Sequence, residues 1–431
     1  MPIHRNAGAD TLALHAGQTP DPVHHSRATP IHFTTSYVFE SGDHAAALFN
    51  QERAGHVYSR ISNPTVAVFE ERVAALEGGR AALATASGLS AQMTCLLTLC
   101  QQGDRIVAAR NLYGGSYSQL DVSLRRLGIE TVFVDPADPE NFRAVINERT
   151  KVVYGEIIGN PGLNVLDVAA VGAIAREAGV PLVVDNTLAS PYLCRPLEHG
   201  ADIVVHSATK YMGGHGTTMG GVIVESGRFP WNNGRFPQMT EPSPGYHGVI
   251  FFETFGDFGF ITKARMETLR TFGPALSPFS AFMLLQGLET LPVRMDRHVA
   301  NARAVAAFLA DHPAVAWVNY PGLPDSPDAA LAARYLPKGA GGILSFGIRG
   351  GQSAGERFID ALEMFSHLAN VGDARSLVIH PASTTHRQLS EDEQIAAGVP
   401  PDMVRLSIGL ESIEDILWDL DQALSRCGEA G

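Results

Sequence analysis

The 431-residue chain lacks the features that define several large protein classes. Its four cysteines, Cys95, Cys100, Cys194 and Cys427, are irregularly spaced and form no CxxC pair. That excludes a disulfide framework and a thiolate metal site, and leaves reduced, mostly buried thiols. The sixteen histidines are scattered, and no metal is expected. No GxGxxG fingerprint follows an early strand and no GxxxxGK[ST] loop occurs, so dinucleotide and P-loop nucleotide binding lose their main support. Positive charge is also in deficit: 32 Lys and Arg stand against 45 Asp and Glu, a net −13, which argues against general affinity for nucleic acid or anionic membrane. No run approaches the ~20 apolar residues of a membrane span, and Met-Pro-Ile-His-Arg-Asn opens no apolar leader. A cytoplasmic protein is expected.

Apolar residues (45%) and charged residues (18%), with 43 Gly and 26 Pro spread along the chain, describe an ordinary globular protein. At one domain per ~100–200 residues the chain should hold two or three. The first sixty residues are polar and without sustained period, so 1–62 reads as an arm. From Thr65 to Leu76 apolar residues recur at helical spacing, and Glu77-Gly78-Gly79 ends the helix. Short β-branched runs then alternate with helical stretches: 81–86, 105–109, 131–134, 152–157, 182–184, 203–205 and 221–224. Several are apolar throughout, which suits strands covered on both faces. The fold class is therefore α/β, a mostly parallel sheet over 63–278 with ligands at the carboxyl ends of its strands. The stretch 226–260, rich in Gly, Pro and aromatics, reads as an insertion. Residues 279–431 carry a helical segment to Ala310, strand candidates near 315–318, 342–347 and 404–408, and a closing helix over 413–424, a smaller C-terminal α+β domain.

Of the 32 Lys and Arg residues only four are lysine: Lys151, Lys210, Lys263 and Lys338. Lys210 follows the 203–205 strand in His206-Ser207-Ala208-Thr209-Lys210-Tyr211, before a glycine-rich turn. Two hydroxyls and an amine at a strand end could serve a phosphorylated aldehyde through a Schiff base; alone, Lys210 reads as one more surface lysine at a strand end. The strand 182–184 ends in Asp185-Asn186-Thr187, either a helix N-cap or a carboxylate for a protonated pyridine nitrogen. The strand 81–86 runs into Ser87-Gly88-Leu89, a helix start able to bind an anion or simply a tight turn.

Together with Asn111-Leu112-Tyr113-Gly114-Gly115, these elements have the order and spacing of a fold type I pyridoxal phosphate enzyme. The chain resembles the Cys/Met-metabolism family, to which cystathionine synthases and lyases, methionine γ-lyase and O-acetylhomoserine sulfhydrylase belong. The resemblance runs from Leu14-His15-Ala16-Gly17 to the last helix. It implies that Lys210, Asp185 and Tyr113 are catalytic: Lys210 carrying pyridoxal 5'-phosphate and shuttling protons, Asp185 holding the pyridine nitrogen protonated, Tyr113 stacking on the ring. Gly88, Leu89, Ser207 and Thr209 would bind the phosphate, and Asn160 in Asn160-Pro161 would lie near the phenolic oxygen. Tyr58 and Arg60 resemble a pair reaching the phosphate of a neighbouring subunit, which requires a homo-oligomer and suggests a tetramer of two dimers. Arg405 would bind the substrate α-carboxylate, with Ser376 and Tyr58 also at the substrate. His380 and His386 are expected to be structural.

Within the family three features point to γ-replacement. Thr217 stands where lyases and cystathionine synthases commonly have Asp or Ser, the 226–260 stretch resembles an insertion of O-acetylhomoserine sulfhydrylases, and Gly115 stands where methionine γ-lyases often have cysteine. The expected reaction joins sulfide or methanethiol to O-acetyl-L-homoserine, giving L-homocysteine or L-methionine and acetate. The alternatives are a methionine or cystathionine γ-lyase releasing 2-oxobutanoate and ammonia, and an O-succinylhomoserine sulfhydrylase. A binding protein without turnover is the reading from another class. Gly159 departs from the family, where Ala or Ser is frequent.

Overall fold

A computed structural model of the chain describes residues 7–50, 52–384, 387, 394 and 398–427. Seven strands form the large sheet: β1 (Ala81–Thr85), β2 (Arg105–Ala109), β3 (Glu130–Val134), β4 (Thr150–Glu156), β5 (Leu182–Asp185), β6 (Ile203–Ser207) and β7 (Gly221–Glu225), in the order β1-β7-β6-β5-β4-β2-β3. All neighbours are parallel except β7, which runs antiparallel between β1 and β6. The mostly parallel sheet expected from the apolar runs is present, because Val152, Val153, Val183, Val184 and Val204 are buried on both faces of it. With β7 reversed, β1 points the same way as β4, β5 and β6. The carboxyl ends of these four strands, and the start of β7 at Gly221, therefore share one edge.

Local chemistry starts and stops the helices around this sheet. The Ser87 side chain accepts from Ser90 N–H and caps helix Gly88–Leu99. Asn63 caps helix Pro64–Glu77, which ends at Gly78 with φ +70°. Gly221 admits no side chain, since a Cβ there would lie 2.0 Å from the Ser87 carbonyl oxygen. The close approach lets β7 begin beside the helix start.

A second sheet of β8 (Val315–Asn319), β9 (Ile343–Ile348), β10 (Ser366–His367), β11 (Leu377–Ile379) and β12 (Met403–Ser407) has the order β10-β11-β12-β9-β8. Two of these strands, β10 and β11, are too short to show a period in the sequence. The helical segment after 278 is two helices, Pro278–Glu289 and Leu291–Asp311, broken where Pro292 lies in the first turn of the second. The 226–260 stretch closes on its own aromatics: Trp231 stacks on Phe260 at 5.5 Å and meets Phe236 edge-on at 5.1 Å. The arm differs from the irregular chain read in the sequence, holding helices Ala9–His15 and Gly42–Phe49. All four cysteines are buried and unpaired.

Candidate active site

The shared strand edge gathers the residues singled out in the sequence. Lys210 lies in the turn after β6, where Lys210 N–H donates to the Ser207 carbonyl at 3.2 Å. Its Nζ donates to Asn370 Oδ1 at 2.6 Å. Burial, with Arg405 adding to it, holds the amine below the usual lysine range. Asp185 ends β5 and accepts from Thr187 N–H at 2.8 Å. Burial raises its pKa, partly offset by Thr187 and by His206. In the parallel register Asp185 is the partner of Glu156, the last residue of β4. Glu156 accepts from Tyr113 N–H at 2.7 Å, and burial and the Asp185 charge push its pKa well up.

Opposite Asp185, at the start of helix Gly88–Leu99, Gly88 packs directly on Ser207: a Cβ there would sit 2.6 Å from Ser207 Cβ and 3.1 Å from its Oγ. Backbone N–H groups in the first turn of a helix have no intrahelical acceptor, so those of Gly88 and Leu89 are donors beside the Ser207 hydroxyl. Thr209 Oγ1 accepts from Gly220 N–H at 3.1 Å. Thr209, Thr217, Ser277, Ser280 and Asn370 line a cleft of about 460 Å³.

The smaller sheet supplies the other wall. Arg405, in the middle of β12, donates from Nη1 to Asn160 Oδ1 at 3.1 Å. Burial lowers its pKa, with Tyr113 and Tyr211 opposing the change. Ser376 is also buried here, with its groups committed: the hydroxyl donates to Glu411 at 2.9 Å and accepts from Gly409 N–H at 2.9 Å. His380 contacts Ser383 Oγ and the Pro401 carbonyl, both at 2.9 Å. His386 lies outside the described residues.

Several residues that hold this arrangement were missed in the sequence. Asn370 is one, and helix Leu291–Asp311 provides three more on one face. Arg294 donates to the Tyr211 carbonyl at 2.8 Å and the Gly287 carbonyl at 2.7 Å; His298 Nδ1 is 2.6 Å from the Ile408 carbonyl; Asn301 donates to those of Gly409 and Glu411, both at 3.0 Å. One helix thus ties the turn bearing Lys210 to the end of the strand bearing Arg405. A signal was present: three polar residues at i, i+4 and i+7 on one helical face are unusual unless they have partners.

The structure does not bring Tyr58 and Arg60 to this cluster. Both are exposed, with the Arg60 guanidinium 5.0 Å from the Tyr58 ring centre, and among the described residues neither hydrogen-bonds to the Lys210 group. Their segment is pinned from behind by Arg265, which donates to the Ile61 carbonyl at 3.0 Å and to Glu70 at 2.7 Å.

Against known proteins, the model of the Cys/Met metabolism PLP-dependent enzymes matches residues 10–425. The chain belongs to this family. Among its relatives are an O-acetyl-L-homoserine sulfhydrylase of Leptospira meyeri, 56% identical over 98% of both chains, and a homocysteine synthase of Schizosaccharomyces pombe, 54% identical over 96% of this chain and 97% of that one. A crystal structure from Campylobacter jejuni, described as an O-acetylhomoserine (thiol)-lyase and carrying a pyridoxyl-lysine, superposes with TM-score 0.94 at 39% identity, covering 97% of this chain and all of the other.

The residues present fit the cofactor of a Cys/Met metabolism enzyme. They offer an amine of lowered pKa, a carboxylate at the neighbouring strand end, and a helix start whose donors adjoin a hydroxyl where a Cβ would fill the space. Two glycines of this family member also find their reason. At Gly159 a Cβ would lie 2.5 Å from Asn164 Oδ1, because the hydrogen-bonded Asn111 and Asn164 side chains occupy the space that a side chain at 159 would use. At Gly115 a Cβ would lie 2.5 Å from Cε1 of the Tyr113 ring. Gly115→Ala should swing that half-exposed ring away, weakening retention of pyridoxal phosphate by about tenfold while stability without cofactor stays within ~0.5 kcal/mol. Equilibrium dialysis and urea unfolding check the two halves of this expectation; unchanged retention would show that the ring pose does not matter.

Proposed function

We propose that the chain is an O-acetyl-L-homoserine sulfhydrylase, joining sulfide to the γ-carbon of O-acetyl-L-homoserine and releasing acetate to form L-homocysteine. The observation that carries this reading is identity of 54–56% over nearly the full length to proteins named for that activity. Methanethiol is the second nucleophile of the proposal, with L-methionine as product.

Pyridoxal phosphate, bound through the Lys210 amine, supplies an electron sink for the substrate's α-carbon. The chain does the rest. Lys210, as a base of lowered pKa whose Nζ is aimed by Asn370, takes the α-proton and returns it further along the skeleton. Asp185 keeps a proton on the ring nitrogen and Tyr113 covers the ring. Gly88, Leu89, Ser207 and Thr209 hold the phosphate, and Asn160 orients both Arg405 and the cofactor's phenolic oxygen. Arg405 binds the substrate carboxylate by a two-pronged contact. Ser376, by fixing Glu411 and Gly409, sets the end of the strand on which Arg405 stands.

Tyr58 and Arg60 reach the phosphate held by a neighbouring copy of the chain. Their exposure supports this, as does that of Phe33 (79%) and Val38 (97%) on the arm, since apolar side chains so exposed are commonly covered by a partner. The assembly is then a homo-oligomer, a tetramer of two dimers, in which 1–62 is the clamp, 63–278 the cofactor domain with its insertion 226–260, and 279–431 the C-terminal domain. Among the described residues no helix is long and apolar enough to cross a membrane, and the proposed location is the cytoplasm.

Product analysis tests the function. Holoenzyme given O-acetyl-L-homoserine should form homocysteine and acetate only when sulfide is present. Release of 2-oxobutanoate and ammonia regardless of sulfide would replace this reading with a γ-lyase, and turnover of the succinyl ester alone would change the acyl group.

A further inference from the structure

The turn that carries Tyr58 and Arg60 is held from within its own subunit. Its backbone closes on itself, with Ile61 N–H and Ser62 N–H donating to the Tyr58 carbonyl at 2.9 and 3.2 Å. Beside it runs the arm: Ser59 N–H donates to the Thr35 carbonyl at 2.8 Å, Tyr37 N–H donates to the Val57 carbonyl at 3.3 Å, and Ser36 and Tyr58 form an antiparallel bridge. At the centre lies Asn63, only 1% exposed. Its Oδ1 accepts from Thr65 N–H at 3.0 Å, capping helix Pro64–Glu77. Its Nδ2 faces three acceptors: the His32 carbonyl at 2.8 Å, the Tyr37 hydroxyl at 3.0 Å and the Ser59 hydroxyl at 3.0 Å. The Ser59 hydroxyl in turn donates to the Thr34 carbonyl.

The helix cap needs only the oxygen of Asn63, which serine, threonine or aspartate would also supply. The amide nitrogen is what asparagine adds, and its acceptors lie in the arm and in the turn. A buried donor is costly unless paired, so the amide draws His32, Tyr37 and Ser59 to one point. Arg265 closes the far side through the Ile61 carbonyl. With Ser59 turned in to Asn63, its neighbours Tyr58 and Arg60 are left exposed on a backbone fixed from both sides. Ligands presented on a loose loop give up affinity to the ordering of that loop, and ligands on a turn already fixed do not.

We infer that Asn63 is a positioning residue for the cofactor site of a neighbouring copy of the chain: through Ser59 it fixes the backbone from which Tyr58 and Arg60 reach the phosphate held there. Its effect on cofactor retention is then felt in the neighbour and not in its own subunit. This rests on the reading of Tyr58 and Arg60 as the pair that serves the neighbour's phosphate. It goes further by naming the buried amide that preorganises the pair and that ties the arm at 32–37 to the same point.

Asn63→Ser keeps a cap oxygen and removes the amide. The test measures retention in oligomers of two differently tagged chains, one of them carrying Lys210→Ala, so that visible absorption of lysine-bound pyridoxal phosphate reports only the chain that keeps Lys210. With Asn63→Ser in the Lys210→Ala chain, the dissociation constant at the intact Lys210 should rise by about tenfold. With Asn63→Ser in the chain that keeps Lys210, it should stay within about twofold of the pair lacking that substitution. The reverse pattern, which a defect confined to the substituted subunit would give, overturns the inference, as do equal losses in both arrangements or none in either. Arg60→Ala runs in the same two arrangements. If it does not act on the neighbour, the reading of Tyr58 and Arg60 falls and the inference with it; an Arg60→Ala effect on the neighbour with none from Asn63→Ser strikes the inference alone. Should Asn63→Ser fail to fold, Ser59→Ala, at a half-buried position of the turn, takes its place with the same pattern expected at about threefold.

Discussion

Lys210→Ala should lose homocysteine formation from O-acetyl-L-homoserine and sulfide by about 10³-fold or more in kcat, since in the proposed mechanism it removes both the point of cofactor attachment and the base. No other lysine can take over. Lys151 Nζ donates to the Arg235 carbonyl at 2.6 Å, Lys263 is paired with Glu267, and Lys338 lies 3.6 Å over the Tyr192 ring. The variant should nevertheless fold. Burial and Arg405 depress the Lys210 pKa, so in the chain without cofactor the protonated amine opposes folding. Removing it should leave the cofactor-free protein at least as stable as wild type at neutral pH. Rate assays and thermal unfolding of the cofactor-free proteins read the two effects separately. A wild-type rate in Lys210→Ala would refute the mechanism, and an early-unfolding variant would remove the electrostatic argument.

The second large effect lies at the other end of β7 and concerns stability. Glu225 is buried, and its Oε1 accepts from Ile261 N–H at 3.2 Å where the segment after 226–260 returns to the sheet. Among the described residues no cation forms an ion pair with it: Arg80 is turned to Asp257, at 2.6 Å. Burial, with Asp257 adding to it, pushes the carboxyl from 4.5 up to about 8. A folded-state pKa above the unfolded one favours folding with the proton bound. The contribution of Glu225 to stability should therefore fall as pH rises from about 4.5 to about 8 and then level off, by about 5 kcal/mol at about 1.4 kcal/mol for each pH unit. Glu225→Gln keeps an acceptor for Ile261 and carries no charge. It should match wild type near pH 4 and exceed it by that amount near pH 9, as measured by urea unfolding at each pH. A difference independent of pH would show that Glu225 is not protonated in the folded protein.

Much of the site was legible because it is built from local signals. Ser87-Gly88, Asp185 and Ser207-Ala208-Thr209-Lys210 each follow a strand within a few residues, and strand ends can be read from β-branched runs and the polar residues that stop them. Arg405 was reached only through the family resemblance, because a lone arginine on a mixed strand has no local signature. Asn370 could not be read at all. It meets Lys210 across 160 residues, and nothing in its flanking sequence marks the contact.

Taken by itself, then, the sequence determined the α/β class and the strand ends that carry Lys210 and Asp185, because hydrophobic period and capping residues act over a few positions, while the roles proposed for that amine and acid came from the family resemblance. Tertiary structure alone decided that β7 runs backwards between β1 and β6, so that Gly221 meets Ser87. It also decided that helix Leu291–Asp311 joins the Lys210 turn to the Arg405 strand, and that Asn63 meets the arm at His32 and Tyr37. These contacts depend on which distant surfaces pack together, a choice made by burial of the whole core and not by any short stretch of chain.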